Sequence, residues 1–296
     1  MRPAELQALA RARPLLLDGG LGSMLIAAGL EGGRAPEWWN LEHPDRVEEA
    51  HRAYFAAGSD IVHTNTFGGN PLRLAAGGLG GRCREVNAAA VAIARRARPG
   101  EGLVAGDVGP TGHMLPPLGT AAVAELGAAF REQVEALAEA GVDLISIETM
   151  SDLREALAAV EAARYSGLAV HAAMTFEARP RGCFTIMGDP LVPSLRALAE
   201  AGAAAVGCNC SVTSAVMAAM VAQAAPVVPV PLSAQPNAGA PTVTTDGVTY
   251  EADPDAFARD LRAMVDDGAA LVGGCCGTTP EFIRRARVAL DARVAR

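Results

Sequence analysis

Ala269-Ala270-Leu271-Val272-Gly273-Gly274-Cys275-Cys276-Gly277-Thr278-Thr279-Pro280 is an apolar run that gives way to glycines, to two adjacent cysteines, and then to a helix start. A short buried strand, a turn at its C-terminal end and a helix opening on Thr-Pro make one strand–helix unit. Adjacent cysteines do not suit a relaxed disulfide across a single peptide unit. They do place two sulfurs beside one point, at the end of a strand.

The same unit recurs upstream. Leu15-Leu16-Leu17 reads as a first strand ending in Asp18-Gly19-Gly20, with a long loop to Asn40 and a helix over Pro44–Ala57. Further strands are expected at Asp60–Thr64, Leu103–Ala105, Asp143–Ile147, Ala169–Met174, Ala204–Gly207, within Pro226–Leu232, and at Ala270–Val272. Helices are expected at Arg84–Arg98, Ala121–Ala140, Asp152–Arg164 (capped by Ser151), Leu191–Ala201, after a cap at Ser211, at Asp253–Asp267 and at Thr279–Ala292. Eight such pairs with apolar strands describe an α/β protein, a single (β/α)8 TIM barrel occupying residues 1–296 as one domain. An open doubly wound sheet is the rival, but Asp18-Gly19-Gly20-Leu21-Gly22-Ser23 lacks the glycine spacing of a dinucleotide loop.

The bulk numbers narrow the function. The 296 residues carry a formal charge of −8 and no basic run, which argues against a nucleic-acid surface. No apolar stretch approaches the roughly 18 residues of a membrane span, and the charged, proline-broken start is unlike a secretory signal. The expected location is the cytoplasm, where clustered cysteines point to metal binding or catalysis rather than to disulfides.

A barrel gathers its C-terminal strand ends on one rim, where chemistry sits. Asp18, Thr64-Asn65-Thr66, Asp107, Glu148, Cys210, Asn237 and Cys275-Cys276 all fall just past strands. Three thiolates from two strand ends suit a zinc ion that keeps one open coordination position. A thiol substrate taking that position would be held as the nucleophilic thiolate. Cys208 and Cys210 are two apart, so spacing does not choose between them. Cys83 and Cys183 read as incidental. Asp18 and Glu148 each follow an apolar strand and would suit an ammonium group; alternatively one shapes a turn and the other caps a helix. Gly19-Gly20 and Gly109-Pro110-Thr111-Gly112 could offer backbone N–H groups to a carboxylate. Thr64-Asn65-Thr66-Phe67 is a polar strand end with an aromatic wall. His63 and His171 read as satisfied core or rim residues, and Trp38-Trp39 as either a ligand cover or a packed pair.

Asp18-Gly19-Gly20, Thr64-Asn65-Thr66-Phe67, Gly109-Pro110-Thr111, Glu148-Thr149, Gly207-Cys208-Asn209-Cys210, Pro236-Asn237-Ala238-Gly239 and Gly273-Gly274-Cys275-Cys276-Gly277 together resemble the zinc-dependent homocysteine methyltransferase family from Leu16 to about Ile283. That family includes betaine–homocysteine and S-methylmethionine–homocysteine methyltransferases and the homocysteine module of cobalamin-dependent methionine synthase. The resemblance implies Zn2+ held by Cys210, Cys275 and Cys276, and homocysteine converted to methionine. It assigns Asp18 and Glu148 as the site's acids, which receive the amino group. Gly19, Gly20, Thr66, Phe67 and Asn237 complete the substrate contacts, and Asn237 is implied as an oxygen ligand to zinc before substrate arrives.

Gly68, Arg34 and Thr149 stand where betaine enzymes carry, or would place, the aromatic groups of a cation–π cage. The pattern looks closer to the methionine-synthase module. The expected donors are therefore a methylated corrinoid on a separate protein, since no corrinoid domain follows Arg296, or a small sulfonium such as S-methylmethionine. The alternatives are a betaine-type donor, another small thiol as acceptor, and a non-catalytic thiol-binding subunit of a corrinoid system. Self-association as a homo-oligomer stays open.

Overall fold

The structure is a computed structural model that describes residues 1–244, 247–250 and 252–294. Residues 245, 246, 251, 295 and 296 of the expected 1–296 span lie outside the described residues. The eight barrel strands are β1 (Leu15–Leu16), β2 (Ile61–His63), β3 (Leu103–Val108), β4 (Leu144–Met150), β5 (Val170–Met174), β6 (Ala205–Thr213), β7 (Leu232–Asn237) and β8 (Ala269–Val272). They form one parallel sheet in the order β1-β8-β7-β6-β5-β4-β3-β2. A lone parallel bridge, Leu17 to Ile61, brings β1 back to β2 and nearly closes the barrel.

Register turns the two-residue side-chain period of each strand into layers inside the barrel. The lowest layer is apolar: Leu15, Leu17, Ile61, Ala105, Leu144, Ala169, Ala205 and Leu271 pack together. The helix Pro3–Ala12 plugs this end with Leu6 and Ala10, and burying Leu6 alone contributes about 2 kcal/mol. Two residues further along the strands the interior turns polar, with His63, Ser146, His171 and Ser233. Two further on come Glu148 and Gln235, while Asp107 on β3 is the register partner of Ser146. Intervening strand residues such as Val62, Val104, Ile145, Ile147, Val170 and Ala172 face the larger core beneath the helices.

Several expected boundaries move. The seventh strand runs over Leu232–Asn237, not within Pro226–Leu232. Pro226, Pro229 and Pro231 have no N–H to give a ladder, so pairing begins where the prolines stop. β6 continues past Gly207 to Thr213, and its pairing with β7 shifts register between Asn209 and Thr213. Thr213, not Ser211, caps the helix Ser214–Ala224, and Asp152, not Ser151, caps Leu153–Arg164 by accepting from the Arg154 N–H at 2.9 Å. The first long loop holds a helix, Leu21–Ala27, and two short turns, Pro36–Trp38 and Trp39–Glu42. Antiparallel pairs also form between Glu177–Arg179 and Gly182–Phe184, and between Pro241–Thr244 and Gly247–Tyr250.

Candidate metal and substrate site

The ends of β6 and β8 supply the sulfurs. Along β6, Asn209 is the last residue in regular register; Cys210 and Ser211 then take φ of +62° and +61°, uncommon for side-chain-bearing residues. That turn separates the two candidate cysteines. Cys208 stays in the apolar core, where burial pushes its thiol up, while Cys210 lines the cavity. From β8, Gly273 and Gly274 let Cys275 and Cys276 follow a chain pressed against the end of β1. A Cβ on Gly274 would sit 2.2 Å from Thr278 Oγ1, and one on Gly19 would sit 2.6 Å from the Thr278 carbonyl oxygen. The two strand ends are stitched by Gly274 N–H to the Asp18 carbonyl at 2.9 Å and Gly20 N–H to the Thr278 carbonyl at 3.0 Å.

The three sulfurs of Cys210, Cys275 and Cys276 lie within 4.8 Å of one another, and Cys210 Sγ to Cys276 Sγ is 3.8 Å. With Zn–S near 2.3 Å, tetrahedral sulfur ligands stand ~3.8 Å apart, so the spacing fits a zinc ion. Hydrogen bonds from the Cys210 and Cys275 thiols pull Cys276 well below the usual thiol range. Asn209 secures the neighbourhood: its Oδ1 accepts from Thr149 N–H at 2.7 Å and its Nδ2 donates to Thr149 Oγ1 at 2.7 Å.

These sulfurs open onto a cavity of about 520 Å³, lined also by Gly19, Gly20, Ser23, Glu37, His63, Thr64, Asn65, Phe67, Arg73, Asp107, Glu148 and Gln235. Glu148 is pushed up to about 7 by burial and by the charges of Asp18 and Cys210, against the pull of His63. Asp107 is also pushed up, by burial first and then by Glu148. Of the residues expected to contact substrate, Gly19, Gly20, Phe67 and Glu148 line this cavity, and Asp18, Thr66 and Asn237 do not. Asp18 is 1% exposed and both of its oxygens meet His63: Oδ2 accepts from the backbone N–H at 2.9 Å and Oδ1 lies 2.6 Å from Nδ1. Thr66 donates through Oγ1 to the Asp107 carbonyl at 2.7 Å, so it positions a rim acid. Asn237 lies next to the cysteine turn, since Pro236 and Ala238 bond to the backbones of Cys275 and Cys276, and its buried Oδ1 has no partner. Trp39 packs in the core, and Trp38 donates to the Gly77 carbonyl between Arg34 and Arg82. Neither tryptophan lines the cavity.

Residues 15–290 match the profile of the family described as Homocysteine S-methyltransferase. The chain belongs to the homocysteine S-methyltransferase family. Within it, the chain is 34% identical over 299 residues to the methionine synthase of Mycobacterium tuberculosis (strain ATCC 25618 / H37Rv), across 94% of this chain and 25% of that protein. It is 32% identical to the Mycobacterium leprae (strain TN) methionine synthase, again over 94% of this chain and 24% of that one. The chain thus spans about a quarter of the length of these relatives. The metallated form of the homocysteine methyltransferase MmuM from Escherichia coli superposes with a TM-score of 0.79 at 28% identity, covering 97% of this chain and 99% of that chain.

Sequence reasoning missed the system behind the acids. His63 Nε2 lies 3.0 Å from Ser146 Oγ, Ser146 Oγ lies 2.9 Å from His171 Nδ1, and His171 Nε2 lies 2.6 Å from Ser233 Oγ. Burial alone would push His63 down, but the charge and hydrogen bond of Asp18 raise it to about 10. Burial holds His171 near 3, so His171 is the neutral member of the chain. Reading alternate residues along β2, β4, β5 and β7 in parallel was the signal that could have exposed this polar layer.

Proposed function

We propose that this protein transfers a methyl group to the sulfur of homocysteine, giving methionine, with Cys210, Cys275 and Cys276 holding a zinc ion. The observation that carries the reading is the convergence of three sulfurs within 4.8 Å on a cavity that also holds buried acids. A bound zinc would supply Lewis acidity, lowering the pKa of a substrate thiol so that its sulfur is nucleophilic near neutral pH. The partnerless Asn237 oxygen is the candidate fourth ligand before substrate binds.

The rest is the work of the chain. In this reading Glu148 receives the substrate ammonium, and Gly19, Gly20 and Phe67 wall the cavity around the substrate. In the transfer the sulfur–methyl bond forms as the bond from methyl to its leaving group breaks, and the thiol proton has already departed. Phe67 is the one Phe, Tyr or Trp lining the cavity among the described residues, which disfavours a cation–π cage for betaine. The donors proposed are a small sulfonium such as S-methylmethionine, or a methylated corrinoid carried on a partner protein. All six cysteines are unpaired, which supports the cytoplasmic location proposed, and among the described residues no helix is long and apolar enough to cross a membrane.

The test is to load the protein with zinc, add homocysteine with S-methylmethionine, methylcobalamin or betaine in turn, and quantify methionine. Methionine from one of the first two donors is expected; none from any donor overturns the proposal.

A further inference from the structure

Each of the three sulfurs has a hydrogen-bond donor of its own, and all three donors are neutral. The Ser211 N–H reaches Cys210, an arrangement set by the left-handed φ of +62° and +61° at these two residues. Asn209 Nδ2 donates to Cys275 Sγ at 3.9 Å and is itself held by Thr149, whose Oγ1 lies 2.7 Å away. The Tyr250 hydroxyl donates to Cys276.

Tyr250 is the donor that no neighbour in sequence accounts for. It ends the strand Gly247–Tyr250, which pairs with Pro241–Thr244 so that Tyr250 lies opposite Pro241, just past the end of β7. The hairpin is thereby rooted beside Asn237 and returns its last side chain to the cysteine turn. The ring is half-buried and packs against the main core. It covers Gly277 so closely that a Cβ there would stand 2.3 Å from Tyr250 Cγ. Gly277 also has a φ of +76°, so both the turn after Cys276 and the ring upon it require a residue without a side chain.

Charge explains what such donors contribute. Three thiolates around a divalent zinc carry one net negative charge, and a substrate thiolate in the open position adds a second. Glu148 and Asp107 line the same cavity, so added negative charge is costly there. A hydrogen bond to a thiolate is charge-assisted and draws density off the sulfur without bringing in a cation.

We propose that Tyr250 is a positioning residue of the metal centre, whose hydroxyl fixes Cys276 and shares the charge on its sulfur. This rests on reading the cysteines as zinc ligands, and it adds a residue that lies in none of the motifs that mark the site.

Tyr250→Phe tests the hydroxyl alone, since the ring and its packing on Gly277 stay. Zinc affinity is measured by competition with a chromophoric chelator, and the Co2+-loaded protein reports the sulfur-to-metal charge-transfer band. Tyr250→Phe is expected to bind zinc ~10-fold more weakly. It is also expected to move the cobalt band to longer wavelength, because a sulfur that has lost its donor gives up charge more easily. Its metal-free melting temperature should match the wild type, whereas Tyr250→Ala, which strips the ring from Gly277, should melt lower. A cobalt band that stays in place in Tyr250→Phe, or a zinc affinity within ~2-fold of wild type, overturns the inference and leaves Tyr250 a packing residue. A wild type that takes up neither ion overturns it together with the metal reading. If band and affinity both change while no donor yields methionine, the transferase reading fails and this inference stands; if methionine forms and neither changes, the reverse is true.

Discussion

One backbone angle decides which cysteine can reach the cavity. Cys208 and Cys210 are the same residue type two positions apart, and an unbroken strand would aim both one way. The φ of +62° at Cys210 breaks that equivalence. Cys208 remains among Val206, Ala234 and Met174 in the core, and Cys210 joins Cys276 at 3.8 Å. Cys210→Ala, Cys275→Ala and Cys276→Ala should each reduce retained zinc to about a tenth or less of wild type, because a two-thiolate remnant binds the ion weakly. Cys208→Ala should keep its zinc and methyl transfer and lose about 1–2 kcal/mol of stability to a small cavity. Metal analysis after dialysis, with urea melts, checks both halves; zinc lost from Cys208→Ala and kept by Cys210→Ala would reverse the ligand assignment.

At the level of elements, the β6–β7 pairing shows what a sequence reveals and what it conceals. Gly207 pairs with Ser233, and a Cβ on Gly207 would fall 2.0 Å from Ser233 Oγ and 2.1 Å from its carbonyl oxygen. The second of those atoms is backbone and cannot rotate away. Gly207→Ala should therefore force the two strands apart and destabilise by about 3 kcal/mol or more, beyond ordinary overpacking. Because Ser233 Oγ also lies 2.6 Å from His171 Nε2, the same change should disturb the polar layer. A melting temperature at least ~6 °C below wild type is expected, and an unchanged one would contradict the strand register.

Reading the chain without coordinates located β1 to β5 and β8 well, since each is an apolar run bounded by turn residues. It misplaced β7, because Val227, Val228 and Val230 look like a strand to a hydropathy pattern while the prolines among them deny it a ladder. It cut β6 short, because Asn209 to Thr213 is polar, and such a stretch stays in the sheet here only through a register shift. Cys275 and Cys276 stood out as an adjacent pair at a strand end, but spacing left Cys208 and Cys210 open and only the family resemblance pointed to Cys210. The partners of Asp18 were not, because a pairing between positions 18 and 63 depends on which strands close the barrel.

The whole molecule depends on that closure. β1 and β2 meet through one bridge, Leu17 to Ile61, and an Asp60 N–H to Leu16 carbonyl bond at 2.7 Å, and side chains reinforce this short seam. On its N-terminal side Asp60 accepts from Leu16 N–H at 2.7 Å, from Arg13 at 2.9 Å and from Arg287 at 2.7 Å, binding the seam to the closing helix. On its C-terminal side Asp18 and His63 do the same, and there the bond is pH-dependent. His63 holds its proton more firmly folded, at about 10, than at its ordinary 6.5. Its contribution is therefore complete below about pH 6.5 and is lost as pH rises from there through about 10. His51, buried with neither ring nitrogen partnered, behaves oppositely: burial lowers it from 6.5 to about 4. An unfolded chain takes up that proton first, so stability falls as pH drops from about 6.5 through 4. His171, lowered to about 3, steepens the same limb. His63 thus stands behind the alkaline flank and His51 and His171 behind the acid one, where Glu148, raised to about 7, works in the opposite direction. Urea midpoints at saturating zinc, measured from pH 4.5 to 9.5, should decline for the wild type as pH rises above about 7. His63→Gln should be less stable at pH 6.5 and nearly level from there upward, with its acid limb intact. Wild type and His63→Gln falling in parallel above pH 7 would show that the seam does not depend on a charged imidazole.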